Sequence, residues 1–295
     1  MSKKYNLWDA LFSIRLKMKR LLICLLVISI LVTGCTGAVS RGGSFTYDYG
    51  VFLGAEPEDI KYMEAYETVV VEGQAFSKKD VSRLKEAGHT VLSYINVGSI
   101  EEYRPYYDDY SQYALDVYEN WEDERWVDVT APEWQDFVVN ELAADLRDKG
   151  FDGLFVDNLD VYYHYPSEES FEAITCVLRS FKSLGFYVSI NGGDVYVTEC
   201  LERYDSARGI FDAVNQETVF TKIIWDKKDK FDKQSGTERE YFQEYLEMVH
   251  EKGVDVYLLE YSKDKKMEKK VREYCDEKGY RYYVSRTLNL EVVKS

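Results

Sequence analysis

Histidine is almost missing from this chain: three copies in 295 residues (His89, His164 and His250), none of them a helical turn apart. That removes the His-x-x-x-His arrangements on which helical zinc sites are built, so no metal site is expected. Cysteine is scarce as well. Cys24 and Cys35 fall near the N-terminus, and Cys176, Cys200 and Cys275 have no metal-type spacing and allow one disulfide at most. No glycine-rich phosphate loop, dinucleotide fingerprint or Gly-x-Ser-x-Gly elbow occurs. Proline appears only four times and no low-complexity tract interrupts the chain, which reads as globular. Positive charge is in deficit, 37 Lys and Arg against 53 Asp and Glu, for a net charge of −16. A nucleic-acid partner is therefore not expected, because its phosphates would be repelled.

The N-terminus reads as a targeting segment. Lys17, Lys19 and Arg20 precede an apolar run from Leu21 to Val32 that is too short to span a bilayer. The run ends in Leu31-Val32-Thr33-Gly34-Cys35, which resembles a bacterial lipobox with Cys35 as the lipidated residue. Met1 and Met18 are both possible starts. Residues 1–34 are thus expected as a lipoprotein signal peptide, 35–46 as a small, polar tether, and 47–295 as a single domain on the extracytoplasmic face, held to the membrane by lipid. The leader carries six basic side chains and one acidic one, so its removal leaves the mature chain near −21. Such a charge suits a cationic partner, or solubility alone.

What is abundant is a repeated unit. Eight short apolar, β-branched runs are followed by helical periodicity: Tyr49–Leu53, Thr68–Val71, Thr90–Val97, Gly153–Asp157, Tyr187–Asn191, Ala213–Glu217, Val254–Tyr261 and Tyr282–Ser285. Helix signals stand between several of them, with Ser77 and Ser167 as N-caps and Gly88, Gly150, Gly185, Gly253 and Gly279 as stops. The pattern predicts a (β/α)8 TIM barrel, with a doubly wound open sheet as the alternative. One connection is outsized. Gly98 to Glu133 holds Tyr103, Tyr106, Tyr107, Tyr110, Tyr113, Tyr118, Trp121 and Trp126, and is expected as a wall of a substrate cleft or else as a structural excursion on the rim.

In such a barrel, chemistry belongs to the C-terminal ends of the strands. Those ends carry Glu72, Asn96, Asp157 with Asn158 and Asp160, Asn191, Glu217 and Glu260. Asp157 and Glu217, on the fourth and sixth runs, can face each other across the barrel mouth as glycoside hydrolysis requires. Asp157 is expected to stay ionised beside Asp160 and Asn158, as nucleophile or base, which leaves Glu217 as the acid. The rival reading is a catalytically silent glycan-binding lipoprotein on the same barrel; a two-lobed solute-binding protein is disfavoured because no second lobe is visible.

The segment Tyr94-Ile95-Asn96-Val97-Gly98-Ser99-Ile100-Glu101-Glu102-Tyr103-Arg104 resembles a motif of glycoside hydrolase family 114, the endo-α-1,4-polygalactosaminidases. Gly150 to Asp160 and Asn215-Gln216-Glu217 resemble further motifs of that family in the same order. Asn96 stands where serine is common, and Ser99 where an acid often stands. The resemblance implies a TIM barrel without metal or cofactor, with Asp157 and Glu217 as the catalytic pair. It implies a partly deacetylated, cationic amino-sugar polysaccharide as substrate. Glu72, Asn96, Glu101, Tyr103, Arg104, Asp160, Asn191 and Glu260 are expected to bind it.

Overall fold

In a computed structural model, which describes residues 45–119 and 121–293, eight strands form one parallel sheet. They are β1 (Tyr47–Phe52), β2 (Tyr66–Val71), β3 (Thr90–Asn96), β4 (Gly153–Asp157), β5 (Tyr187–Asn191), β6 (Ala213–Glu217), β7 (Asp255–Tyr261) and β8 (Arg281–Ser285). Their order in the sheet is their order in the chain, with no reversal of the kind an open doubly wound sheet requires. β1 and β8 meet without a ladder, and Phe52 packs edge-on to Tyr283 across the seam, 5.2 Å between ring centroids. The result is a nearly closed (β/α)8 barrel. The expected leader, the acylated Cys35 and the tether up to residue 44 lie outside the described residues.

The strands are apolar over continuous stretches because helices cover the outer face and the barrel fills its own interior. Val69–Val71 and Leu154–Val156 are fully buried. β4 and β6 begin alike, each after a Phe-Asp pair. Asp152 accepts the Val91 N–H at 3.0 Å and Asp212 accepts the Val188 N–H at 2.7 Å, so each carboxylate hooks the neighbouring strand and fixes register. Each hook stands five residues before a strand-end acid, Asp157 or Glu217, which brings the two acids to the same end of the barrel. Gly153 is required at the first hook, since a Cβ there would lie 2.4 Å from the Tyr187 carbonyl oxygen.

Among the described residues a 3-10 segment (Pro57–Tyr62) makes the first of the seven crossovers and six helices make the rest: α1 (Lys78–Glu86), α2 (Pro132–Asp136, continuing through a π-helical Phe137–Ala143 to Ala144–Lys149), α3 (Glu168–Ser183), α4 (Asp194–Tyr204), α5 (Gly236–Glu251) and α6 (Lys265–Lys278). Ser77, Ser167 and Ser235 cap α1, α3 and α5 by accepting a backbone N–H of the first turn. Phe171, Ile174, Leu178 and Phe181 form the buried stripe of α3, each worth about 1.5–3 kcal/mol of burial. No helix signal marks α4, whose Asp-Val-Tyr-Val-Thr start favours a strand. Its buried Tyr196, Val197, Cys200 and Leu201 nevertheless share one face, and tertiary packing decides the outcome.

Two excursions rise from the C-terminal end. After β3, three short antiparallel strands (Ser99–Glu101, Glu124–Val127 and Ala114–Val117) form a small sheet. After β6, Thr221–Ile223 and Phe231–Lys233 form a two-stranded ribbon.

Candidate active site

The ends of β4, β5 and β6 converge on one hydrogen-bonded group. The side-chain amide nitrogen of Asn191 donates to Asp157 Oδ1 and to Glu217 Oε1, both at 2.8 Å. Two such bonds from one nitrogen hold the two oxygens no further apart than about 5.6 Å, and the diverging hydrogens of a planar amide bring this to about 5 Å. The orientation of that amide is enforced from below. Asn215 donates to Asn191 Oδ1 at 2.6 Å, and the buried phenol of Tyr49 donates to Asn215 Oδ1 at 3.0 Å. Burial keeps Tyr49 a neutral phenol, so it can serve as the donor that ends this chain. Tyr261 completes the site by donating to Glu217 Oε2 at 2.6 Å.

Burial is the main force on the pair's protons. It pushes Asp157 up to about 8, with the charge of Glu217 adding to it and the Asn191 bond opposing it. Glu217 is also raised by burial, while Tyr261 and Asn191 pull it back by donating to its carboxylate. Both carboxyl groups are therefore raised, and the pair holds a proton more tightly than two separate carboxyl groups would. Of the neighbours expected to keep Asp157 ionised, Asn158 bonds to it through its backbone, while the side chains of Asn158 and Asp160 point elsewhere. Asn158, at φ +64°, turns its side chain away to Asn96, Ser99 and Glu124, and Asp160 turns to the Gly193 N–H at 3.2 Å. Neither side chain supplies Asp157 with a donor.

Around the pair lies an open cleft of about 720 Å³. Among the described residues, nine carboxylates line it against one arginine. That arginine, Arg104, is already neutralised: it grips Glu101 through two bonds of 2.8 and 3.0 Å and Glu72 through one of 2.9 Å. Tyr103, 67% exposed, stands over the guanidinium. Asp160 is pushed up to about 6 by burial and by its neighbour Asp194. Tyr118, Trp126 and His164 pack ring on ring along one wall, at 4.3 and 4.6 Å between centroids. Trp121 and Trp225 meet edge-to-face from the two excursions, 5.8 Å apart. Among the described residues no cluster of three or more His, Cys, Asp or Glu side chains could hold a metal.

The model of Glycoside-hydrolase family GH114 matches residues 35–293. The chain belongs to that family. Two uncharacterised relatives are similar in sequence: one from Methanocaldococcus jannaschii, 22% identical over 235 residues (73% of this chain and 66% of that one), and one from Thermotoga maritima, 24% identical over 166 residues (51% of each). The chain thus spans between half and two thirds of the length of these relatives. Among solved structures, the glycoside hydrolase domain of PelA from Pseudomonas aeruginosa superposes with a TM-score of 0.69 at 20% identity, covering 83% of this chain and 96% of that one. Ega3 from Aspergillus fumigatus, in complex with galactosamine, gives 0.65 at 15% identity over 84% and 93% of the two chains. At these identities the superpositions show a shared barrel.

Within this family member, the residues singled out from sequence divide into two groups. Asp157, Asn191 and Glu217 form the centre, and Glu72, Glu101, Tyr103, Arg104 and Asp160 line the cleft around them. Asn96 and Glu260 do not line it, which corrects their expected place among the substrate contacts. Asn96 is buried and bonded to Glu124, Ser99 and Asn158, tying the first excursion to the strand ends. Glu260, 0% exposed, accepts the N–H groups of Phe220 and Thr221 and the Thr221 hydroxyl, and so holds the loop after β6. Tyr106 and Tyr110 are also structural, packing on Phe137 of α2 at 4.7 and 4.1 Å. The centre further includes Tyr49, Asn215 and Tyr261, and the cleft wall includes Trp225 and Glu124; of these, only Asn215 had been noted, within a family motif and without a role. The register explains Tyr261: successive strand residues face opposite ways, and Glu217 pairs with Leu259, so the inward row of β7 continues to Tyr261 and skips Glu260.

Proposed function

We propose that this protein hydrolyses α-1,4-galactosaminide or closely related amino-sugar linkages in a polysaccharide, with retention of configuration. The bridging amide of Asn191 carries this reading. Carboxyl oxygens about 5 Å apart suit a nucleophile and an acid working from opposite sides of one glycosidic bond, and leave no room for the water that an inverting pair must accommodate. Asp157 attacks the anomeric carbon, Glu217 gives its proton to the leaving oxygen, and a glycosyl ester of Asp157 results. Water, deprotonated by Glu217, then opens the ester. This sequence requires an ionised Asp157 and the proton on Glu217, whereas burial and the charge of Glu217 raise Asp157. A cationic substrate resolves the conflict. The 2-ammonium group of galactosamine sits next to the anomeric carbon, hence beside the nucleophile, where it favours ionised Asp157 and moves the proton to Glu217.

The cleft supports the same substrate, because nine carboxylates and an already paired arginine attract amines and repel uronates. Rings on both walls offer faces on which sugars stack. The galactosamine bound by Ega3, a structural neighbour, is in keeping with this choice. Lipidation at Cys35 would hold the enzyme on the outer face of the membrane, where such polymers occur, and a Cys35→Ser protein is expected to lose membrane partitioning.

The test is to incubate the purified protein with partly deacetylated polygalactosamine and with the fully N-acetylated polymer. Oligosaccharides should appear from the first and far fewer from the second, and Asp157→Asn and Glu217→Gln should each abolish them. Equal cleavage of both polymers would overturn the ammonium's role in placing the proton. Full activity in either variant would overturn the catalytic pair.

A further inference from the structure

The same barrel end carries a surface of opposite sign. The ribbon segment 221–233 and the loop and first turns of α6, 262–270, together hold ten lysines and five acids, a local net of +5 in a chain of net −16. Among the described residues, only Lys269 of these ten lysines has a carboxylate partner, Glu273 at 3.4 Å. Acids outnumber bases over the whole chain, so unpaired lysines in such number mean that the cations have been segregated here. Three of the five acids are occupied: Asp229, Asp232 and Asp264 accept the backbone N–H groups of Leu288, Lys233 and Lys266 at 2.8, 2.7 and 2.9 Å. Lys270 lies over the ring of Phe220 at 5.1 Å and is lowered by burial and by facing Arg239 and Lys233 across the patch. Between ribbon and loop opens a hollow of about 410 Å³, lined by Lys230, Lys233 and Lys263 and by the three aspartates already bonded to backbone N–H groups, Asp229, Asp232 and Asp264. Tyr261 lines both this hollow and the acidic cleft, so the two surfaces are contiguous.

We propose that this rim binds a polyanion, a cell-surface polymer bearing repeated phosphate or carboxylate groups, and so docks the enzyme beside the polymer it cuts. Screening makes the patch a local matter. At physiological ionic strength charges are felt over about 8 Å, so the acidic remainder of the protein does not cancel it. Lysine ammonium groups are flexible point charges that suit phosphate without fixing its orientation, which fits a repeating chain better than one small ligand. The rim repels a cationic substrate, so it is not an extension of the cleft.

The experiment is calorimetric titration of the purified protein with long-chain polyphosphate and, separately, with polygalacturonate, at about 50 and 200 mM salt. Binding to at least one polymer is expected, weakening at least tenfold between the two salt concentrations, and the polymer that binds identifies the anionic group. The triple variant Lys230→Glu, Lys233→Glu, Lys263→Glu should bind at least tenfold more weakly, with an unchanged melting temperature and unchanged cleavage of a short galactosamine oligosaccharide at about 200 mM salt, where the rim's charge is screened from the cleft. The matching Lys→Gln variant should fall between. No binding to either polymer, or undiminished binding by the Glu variant, would overturn the proposal. Binding confined to phosphatidylglycerol vesicles would overturn it in favour of a membrane surface.

Discussion

Replacing Asp157 by Asn should make the protein more stable and inactive, and the stability gain should depend on pH. Asp157 ionises near pH 4 in the unfolded chain and holds its proton to about 8 in the folded one. A raised folded value means that the native state binds the proton more tightly, so this side chain's favourable contribution is complete below about pH 4 and is lost as pH rises through about 8. Each pH unit of that window is worth about 1.4 kcal/mol, which would give roughly 6 kcal/mol in full. Asp157 faces the cleft and is only partly shielded from water. Screening there and sharing of the proton with Glu217 reduce the expected difference to about 2–3 kcal/mol. Asn keeps the shape and the bond to Asn191 in flipped form but carries no charge at any pH. Melting curves of the two proteins should therefore nearly coincide at pH 4 and separate steadily, the variant melting about 5–10 °C higher at pH 8.5. Parallel curves across the range would refute the reasoning, since they would mean that Asp157 sits in the native protein at its ordinary acidity.

Other outcomes follow from the same contacts. Tyr49→Phe leaves the buried Asn215 carbonyl oxygen without its donor, so stability should fall by about 1–3 kcal/mol; with the Asn191 amide free to flip, the pH–rate profile should narrow while KM is retained. A melting loss with an unaltered profile would make Tyr49 merely structural. Trp225→Ala should raise KM for a polymer several-fold with little change in melting temperature, whereas Tyr106→Ala should do the reverse, because Tyr106 packs on Phe137 and Trp225 faces the cleft. Glu260→Ala strips three donors of their acceptor in the loop after β6 and should cost about 3 kcal/mol in urea unfolding, with activity falling only as far as that loop loosens.

The barrel could be read from the chain because its cause is local. Apolar runs such as Leu154–Val156, bounded by glycine stops and serine caps, recur eight times, and the bounds of β4, β5 and β6 stand where those runs end. Asp157, Asn191 and Glu217 come together for the same reason, since each closes a run of equal length on neighbouring strands. What the sequence hides is direction. Glu260 and Tyr261 are adjacent letters, yet one faces a loop inside the protein and the other the catalytic carboxylate, and only the register against Glu217 separates them. The first excursion hides its division in the same way. Its aromatics look alike in composition, but Tyr106 and Tyr110 fall on the side that meets α2, while Tyr118 and Trp126 fall on the side that meets the cleft. That division is set by the turns between three short strands, whose pairing depends on long-range contacts such as Asn96 with Glu124. Tyr49 lies further still from legibility: it stands 166 residues from Asn215, and its role arises only when β1 closes the barrel and sets a phenol beneath the amides. A site built on strand ends is therefore visible where a strand terminates in an acid, and invisible where a neutral side chain orients that acid from across the barrel.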